Sequence, residues 1–169
     1  KNSIMNVQAF KKGYQPSAVV STPIVLLTKK NGLNRQYYEG AWDSLDGMLK
    51  SDVVSEKTVY NFSFDTDKKD NFGYIYSGFI EISTSGKYQF ETTSDDGSRL
   101  LINNKILIDN DGLHARKTFV ETIQLKKGRH PIELQYFERG GQEYLMVEWS
   151  GPGIEKMQIP ANYFYVEDK

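Results

Sequence analysis

The feature that most constrains the fold of this chain is a run of short apolar and aromatic segments separated by Gly, Asn, Asp and Ser. In "KYQFETT", Tyr88 and Phe90 lie on one face of a strand and the polar residues between them lie on the other. In "HPIELQYFE", the residues Ile132, Leu134 and Tyr136 share a face in the same way. A period of two indicates a half-buried antiparallel strand, and turn residues about every ten positions are typical of all-β proteins. We therefore predict an all-β fold, an antiparallel β-sandwich.

Ten segments carry this strand pattern: Ala18–Thr28, Arg35–Tyr38, Val59–Phe64, Tyr74–Ser83, Lys87–Thr93, Arg99–Ile102, Ile106–Asp109, Thr118–Leu125, Pro131–Glu138 and Tyr144–Ser150. No segment has a sustained helical period, and only "WDSLDGML" is predicted to form a short helix.

Composition excludes several classes of protein. The net charge is −1 and the lysine pairs are scattered along the chain, whereas nucleic-acid and anionic-membrane surfaces need concentrated positive charge. The apolar run 24–27 is far shorter than the ~20 residues of a membrane-spanning helix. With no cysteine, neither disulfides nor thiolate zinc sites can form. We predict no nucleic-acid partner and no membrane insertion.

The beginning of the chain differs from the rest. Residues 1–28 contain Gly and Pro residues typical of turns and precede a polar, turn-rich segment. We therefore predict a domain boundary after residue 28, with the main domain spanning residues 29–169. The chain begins at Lys1 with Met5 inside it. We expect a piece of a longer protein, whose localisation follows from its parent.

Several motifs agree in order and spacing with one known family. "GLNRQYYEGAWDSL", "SGKYQF", "SDDGSRLLIN" and "EWSGPG" closely resemble the PA14 domain over residues 33 to about 165. The resemblance implies a non-catalytic β-sandwich of secreted glycosidases, adhesins, proteases and toxins, with carbohydrate recognition as its usual role and an extracytoplasmic location. Residues 1–28 are similar to the last strands of the small module at the carboxyl end of some chitobiases and β-hexosaminidases.

The resemblance also implies a metal site. In the family's adhesins, two adjacent aspartates joined by a cis peptide bind Ca²⁺, which in turn holds sugar hydroxyls; the matching residues here are Asp95 and Asp96, with Gly97 permitting the turn. Neighbouring side chains of an extended trans strand point to opposite faces, so a shared ion requires a different local geometry. Ca²⁺ accepts roughly 6–8 oxygen ligands in irregular arrangements. The residues alone also fit a β-turn in which Gly97 has positive φ.

Further ligands are predicted in two later loops. Asn110 and Asp111 of "DNDGLH" can contribute oxygens, although this segment also fits a solvated glycine turn. The adhesins supply an Asn from a loop that here reads "ERGGQE" and contains none, so Glu138 or Gln142 is the candidate substitute.

No catalytic residue is predicted. Glycoside hydrolysis needs two acids about 5–9.5 Å apart, and the candidate acids fit exposed positions of alternating strands. His114 and His130 are too distant in sequence to indicate a zinc site. "DTDKKD", residues 65–70, lacks the Gly and Glu of an EF-hand calcium loop.

Two functions stay open. The first is a Ca²⁺-assisted carbohydrate-binding module of a secreted bacterial glycoside hydrolase resembling a β-N-acetylhexosaminidase, with a glycan and the parent's catalytic domain as partners. The second is a structural accessory domain that shapes the parent's substrate access without binding sugar.

Overall fold

A computed structural model describes residues 3–24, 26–64 and 70–166. As predicted, the protein is all-β, with one short helix α1 (Leu45–Met48) and a 3₁₀ turn at Ala161–Tyr163. The strands are β1 (Ser3–Val7), β2 (Val20–Ile24), β3 (Leu33–Glu39), β4 (Ser55–Val59), β5 (Phe72–Ile82), β6 (Gly86–Asp95), β7 (Ser98–Ile102), β8 (Lys105–Asn110), β9 (Lys117–Leu125), β10 (Gly128–Glu138), β11 (Tyr144–Gly151), β12 (Ile154–Gln158) and β13 (Phe164–Tyr165).

Two antiparallel sheets form the sandwich. The larger has the order β4-β3-β5-β10-β7-β8, with β13 added to β5, and the smaller has the order β12-β11-β6-β9. The core between them is rich in aromatic rings, among them Tyr88 stacked on Trp149 with 5.6 Å between ring centroids. Trp149 is 1% exposed. Burial of such large rings is the main stabilising contribution of a sandwich core.

The alternation predicted for β10 is confirmed. Ile132, Leu134 and Tyr136 face the core between the sheets, whereas Phe137 faces outward and is nevertheless fully buried. Its cover is helix α1, whose Leu45 packs with Phe137 in a second, smaller apolar cluster. The outer face of the large sheet is therefore shielded from solvent around Phe137.

Helix α1 lies within the predicted "WDSLDGML" segment. Ser44 caps it, because its side chain accepts a hydrogen bond from the backbone N–H of Gly47. Leu45 and Met48 are both fully buried, so the one-turn helix is held by tertiary packing rather than by its own length.

The prediction of a strand at Val59–Phe64 is wrong, because β4 ends at Val59. Beyond it, Oδ1 of Asn61 accepts hydrogen bonds from the N–H and the hydroxyl of Ser63. This local turn competes with strand pairing for the same backbone groups. The ten predicted segments do not include β1, β12 or β13, and they reach β4 only at Val59. In β12, polar residues obscure the apolar pattern.

The first two strands form a separate two-stranded sheet. The neighbouring side chains Ile4 and Met5 are 67% and 46% exposed, so apolar groups lie on both of its faces. A lone hairpin is marginally stable at best in water. The division at residue 28 and the hexosaminidase-type nature of this segment stay predictions.

Across the described ranges, the helices are too short and too polar to traverse a lipid bilayer. Residues 65–69 of the "DTDKKD" segment lie outside those ranges.

Candidate metal and ligand site

Three loops meet at one end of the sandwich around the two predicted aspartates. Asp95 Oδ2 accepts a hydrogen bond from the N–H of Arg116 at 3.0 Å. Asp96 accepts two more, from the N–H of His114 to Oδ1 at 3.0 Å and from the N–H of Arg139 to Oδ2 at 3.0 Å. The β6–β7 turn is thereby tied to the β8–β9 and β10–β11 loops. Backbone N–H groups fix the orientation of both carboxylates.

The Asp95–Asp96 peptide bond is cis. One carboxylate oxygen from each of Asp95, Asp96 and Glu138 lies within 4.8 Å of the other two. Asp96 is 5% exposed and Glu138 fully buried, whereas Asp95 is half-buried. We refer to these three residues as the carboxylate cluster.

Glu138 is the least satisfied member of the carboxylate cluster. Its Oε2 lies 3.0 Å from the Tyr136 hydroxyl, which is also 2.8 Å from the Asp95 carbonyl oxygen. Its Oε1 is buried and has no hydrogen-bond partner among the described residues. Burial, reinforced by the charges of Asp96 and Asp95, raises the pKa of Glu138 to about 8, although the Tyr136 hydroxyl and the backbone of Gly140 oppose the shift. Burial and the Glu138 charge also raise the pKa of Tyr136.

The carboxylate cluster fits Ca²⁺ on three observations. Ligands on opposite sides of a Ca²⁺ ion are about 4.6–5.2 Å apart, twice the usual Ca–O distance, and the cluster's oxygens lie within 4.8 Å of one another. The buried, unpartnered Oε1 of Glu138 is a group that a cation satisfies and that is otherwise costly to bury. All three donors are hard oxygens, which suit Ca²⁺ rather than softer metals.

Gly97 is required by space rather than by backbone conformation. A Cβ atom there would lie 2.3 Å from Cε1 and 3.0 Å from Cδ1 of Phe137. Gly97 is not among the residues with positive φ, so the alternative of a turn with Gly97 in the left-handed region is wrong. The glycine lets the buried Phe137 ring approach the cluster.

Asn110, a predicted ligand, lies buried at the end of β8. Its Nδ2 donates to Ser94 Oγ at 2.9 Å, and its backbone oxygen lies 3.0 Å from Nε2 of His114. The side chain thus belongs to a polar network behind the loops. Its ligand role stays a prediction.

Asp111 has structural partners for both carboxylate oxygens. Oδ1 accepts hydrogen bonds from the N–H groups of Leu45, at 2.8 Å, and Gly112, at 2.7 Å. Oδ2 lies 3.4 Å from Arg99. Asp111 is not part of the carboxylate cluster; it anchors the start of helix α1, and its ligand role also stays a prediction.

Sequence reasoning missed the pair Arg116 and Tyr144. The Arg116 guanidinium lies 3.6 Å from the centre of the Tyr144 ring, and Tyr144 pairs with Asp95 across β11 and β6. Their proximity depends on this strand register, which a single sequence does not reveal. Gln142, the other candidate substitute, is exposed.

An open groove lies elsewhere, on the outer face of the large sheet. It has a volume of about 760 Å³ and is lined by residues that include Asn34, Glu56 and Glu133. We place the candidate site at the carboxylate cluster because converged, buried acids with an unpartnered oxygen indicate a specific ligand, whereas an open polar groove does not.

Comparison with known proteins gives the family. The PA14 domain profile matches residues 29–163, and the chain belongs to this family. A curated relative, the anti-sigma-I factor RsgI3 of Acetivibrio thermocellus, is 28% identical over 148 residues, which cover 81% of this chain and 22% of the relative.

Two solved structures share the fold. An anti-sigma factor domain-containing protein superposes with a TM-score of 0.71 at 25% identity, covering 82% of this chain and 49% of the other. The PA14 sugar-binding domain from an RTX adhesin has a TM-score of 0.69 at 18% identity, covering 82% and 99%. The chain spans about a fifth of the curated relative and about half of the first structure.

Proposed function

We propose that this PA14 domain binds glycans through a Ca²⁺ ion held by Asp95, Asp96 and Glu138. The observation that carries the proposal is the carboxylate cluster, with its oxygens within 4.8 Å of one another and a buried oxygen lacking a partner among the described residues. The sugar-binding function named for the RTX adhesin domain supports the choice of ligand class.

The chain's own residues prepare the site. Backbone N–H groups of three loop residues hold the two aspartates, so these carboxylates need little reorganisation on binding. The Tyr136 hydroxyl lies within hydrogen-bonding distance of Glu138 and orients it. Bound Ca²⁺ supplies a hard cation whose remaining coordination positions accept sugar hydroxyls.

The third carboxylate offsets a departure from the family pattern. Where the adhesins supply a neutral Asn, this chain offers Glu138, so the cluster presents a third carboxyl group that gives up its proton and becomes a charged ligand when a divalent cation binds. The greater ligand charge favours tighter Ca²⁺ binding. Occupation of the site by the ion also relieves repulsion among the buried acids.

The domain acts by localisation rather than by chemistry. A binding module raises the effective concentration of its parent on a glycan, which agrees with a non-catalytic domain in an extracytoplasmic protein. A glycoside hydrolase parent remains one proposal. The anti-sigma factor names of the relatives support a second, in which the domain reports extracellular glycan to a regulatory protein. The sequence flanking this chain decides between them.

The alternative of a purely structural accessory domain assigns no ligand to the carboxylate cluster. It gives no reason for burying a third acid beside two aspartates with an oxygen that has no partner among the described residues, and an unsatisfied buried polar atom is costly. We therefore favour binding over a spacer role.

The test is a glycan panel measured with calcium and with EDTA. We expect binding that needs calcium, returns when calcium is restored, and weakens at least about tenfold in Glu138→Gln, since a charged ligand is lost. Asp109→Asn is the matched control, because Asp109 is a half-exposed partner of Arg99 and lies outside the carboxylate cluster. Binding that is indifferent to EDTA removes calcium from the proposal, and failure to bind any glycan favours the structural role.

A further inference from the structure

The arginine beside the ion site differs from most others of the described structure. Arg99, Arg129 and Arg139 each have an acidic side chain within ion-pair distance. Within residues 3–24, 26–64 and 70–166, Arg116 forms no such pair, and its side chain is exposed. Its guanidinium N–H donors therefore lack an acidic partner from these parts of the chain.

Two contacts hold Arg116 next to the carboxylate cluster. Its backbone N–H donates to Asp95 Oδ2 at 3.0 Å, which fixes its main chain against the first aspartate. Its guanidinium lies 3.6 Å from the centre of the Tyr144 ring, and Tyr144 is the residue paired with Asp95 across the sheet. Stacking on an aromatic face limits the motion of a guanidinium and leaves the donors at its edge accessible.

The net charge of the proposed ion site gives the Arg116 guanidinium a role in ligand binding. Three carboxylates and one Ca²⁺ sum to −1, and Arg116 brings the total to zero. Without Arg116, an anionic ligand would meet a net negative site and be repelled. With it, the ligand meets a divalent cation and a planar donor fork side by side.

We propose that Arg116 is a specificity-determining residue and that the ligand is an acidic glycan, one whose sugars carry carboxylates as in uronic acids. The inference rests on the proposed calcium-dependent function. A sugar carboxylate is a hard oxygen ligand suited to Ca²⁺, and it matches the guanidinium fork in a bidentate ion pair. A neutral sugar of the same skeleton can use only the first of these interactions.

The test compares sugars that differ only in a carboxylate. Oligomers of galacturonic acid and of galactose, and of glucuronic acid and glucose, are titrated against the chain by calorimetry with saturating calcium. We expect the uronate of each pair to bind at least about tenfold more tightly, a preference that weakens as salt rises. In Arg116→Gln this preference should fall to about twofold, while the neutral sugars keep their affinity and calcium alone binds at least as tightly as in the wild type, because a positive charge beside the ion site is lost. Arg116→Lys should restore part of it, because Lys keeps the charge but lacks the planar fork.

Arg129→Gln is the matched control. Arg129 also lies over a tyrosine, 3.8 Å from the centre of the Tyr165 ring, but nine residues along β10 from Glu138, about 30 Å away at ~3.3 Å per residue. The Arg129→Gln substitution should leave the affinity for every sugar unchanged.

The outcomes separate the two proposals. Equal affinity for uronates and neutral sugars contradicts acidic-glycan selection and leaves calcium-dependent binding standing. A uronate preference that survives in Arg116→Gln contradicts the role of Arg116. If no sugar binds in the presence of calcium, both this inference and the proposed function fail.

Discussion

Glu138 combines features that rarely occur together at one residue. It is fully buried, it lies with two other acids, and one of its oxygens has no partner among the described residues. Sequence reasoning reached it only as a substitute for a missing Asn. Its burial could not be predicted from the strand pattern, because "YFE" at the end of β10 reads as a strand entering a loop.

The raised pKa of Glu138 predicts how stability changes with pH in calcium-free solution. The folded chain keeps this proton to about pH 8, whereas the ordinary value is 4.5. Between these values the folded state binds more protons than the unfolded state, so the contribution of Glu138 to the free energy of unfolding falls as pH rises. Denaturant unfolding should be measured in EDTA at about pH 5 and about pH 8.5. Between these pH values, the free energy of unfolding should fall less for Glu138→Gln than for the wild type. Identical declines would contradict the assignment.

Gly97 provides a second prediction at the residue scale. In Gly97→Ala the new Cβ would meet the Phe137 ring at 2.3 Å, and that ring is fully buried. The clash should destabilise the protein by about 1–3 kcal/mol and weaken calcium binding by displacing the cluster.

Gly140→Ala is the control, because a Cβ there would meet nothing closer than Asp70 Oδ1 at 3.6 Å. Its cost should stay within about 0.5 kcal/mol. If thermal unfolding showed equal effects for the two variants, crowding by Phe137 would not be the reason for glycine at position 97.

At the scale of elements, three loops that cross between the two sheets and one short helix depend on acidic side chains. The aspartates of the cluster bind backbone N–H groups of the β8–β9 and β10–β11 loops. Asp111 binds the first residue of α1, and that helix covers Phe137. The loops and the helix thus form one layer around the candidate ion site.

Asp111→Ala tests whether this residue is an anchor or a metal ligand. If Asp111 is an anchor, the substitution removes the hydrogen bonds that Asp111 accepts from the N–H groups of Leu45 and Gly112. The free energy of unfolding should then fall by about 0.5–2 kcal/mol. Calcium affinity should change by less than about twofold, well below the roughly tenfold change that corresponds to 1.4 kcal/mol of binding free energy. A large loss of calcium affinity with unchanged stability would instead establish the ligand role predicted from sequence.

At the scale of the whole molecule, the sequence predicts the sandwich because each strand carries its own alternation. The pattern fails where local polar bonds override it, as at Asn61 and Ser63, and where strands are polar, as in β12. The candidate site is harder to predict, since it joins Asp95 and Asp96 to Glu138 across more than forty residues of chain. That contact depends on how the ends of β6 and β10, which belong to different sheets, are brought together, and only the folded structure defines this.

The central claim, that three acids share one cation, is tested most directly by calorimetric titration of Ca²⁺ into the metal-free chain. We predict one ion bound per chain, with affinity reduced at least about tenfold in Glu138→Gln and in Asp96→Asn and unchanged in Asp109→Asn. Absence of calcium binding at millimolar concentrations, or equal affinity in all four proteins, would contradict the account.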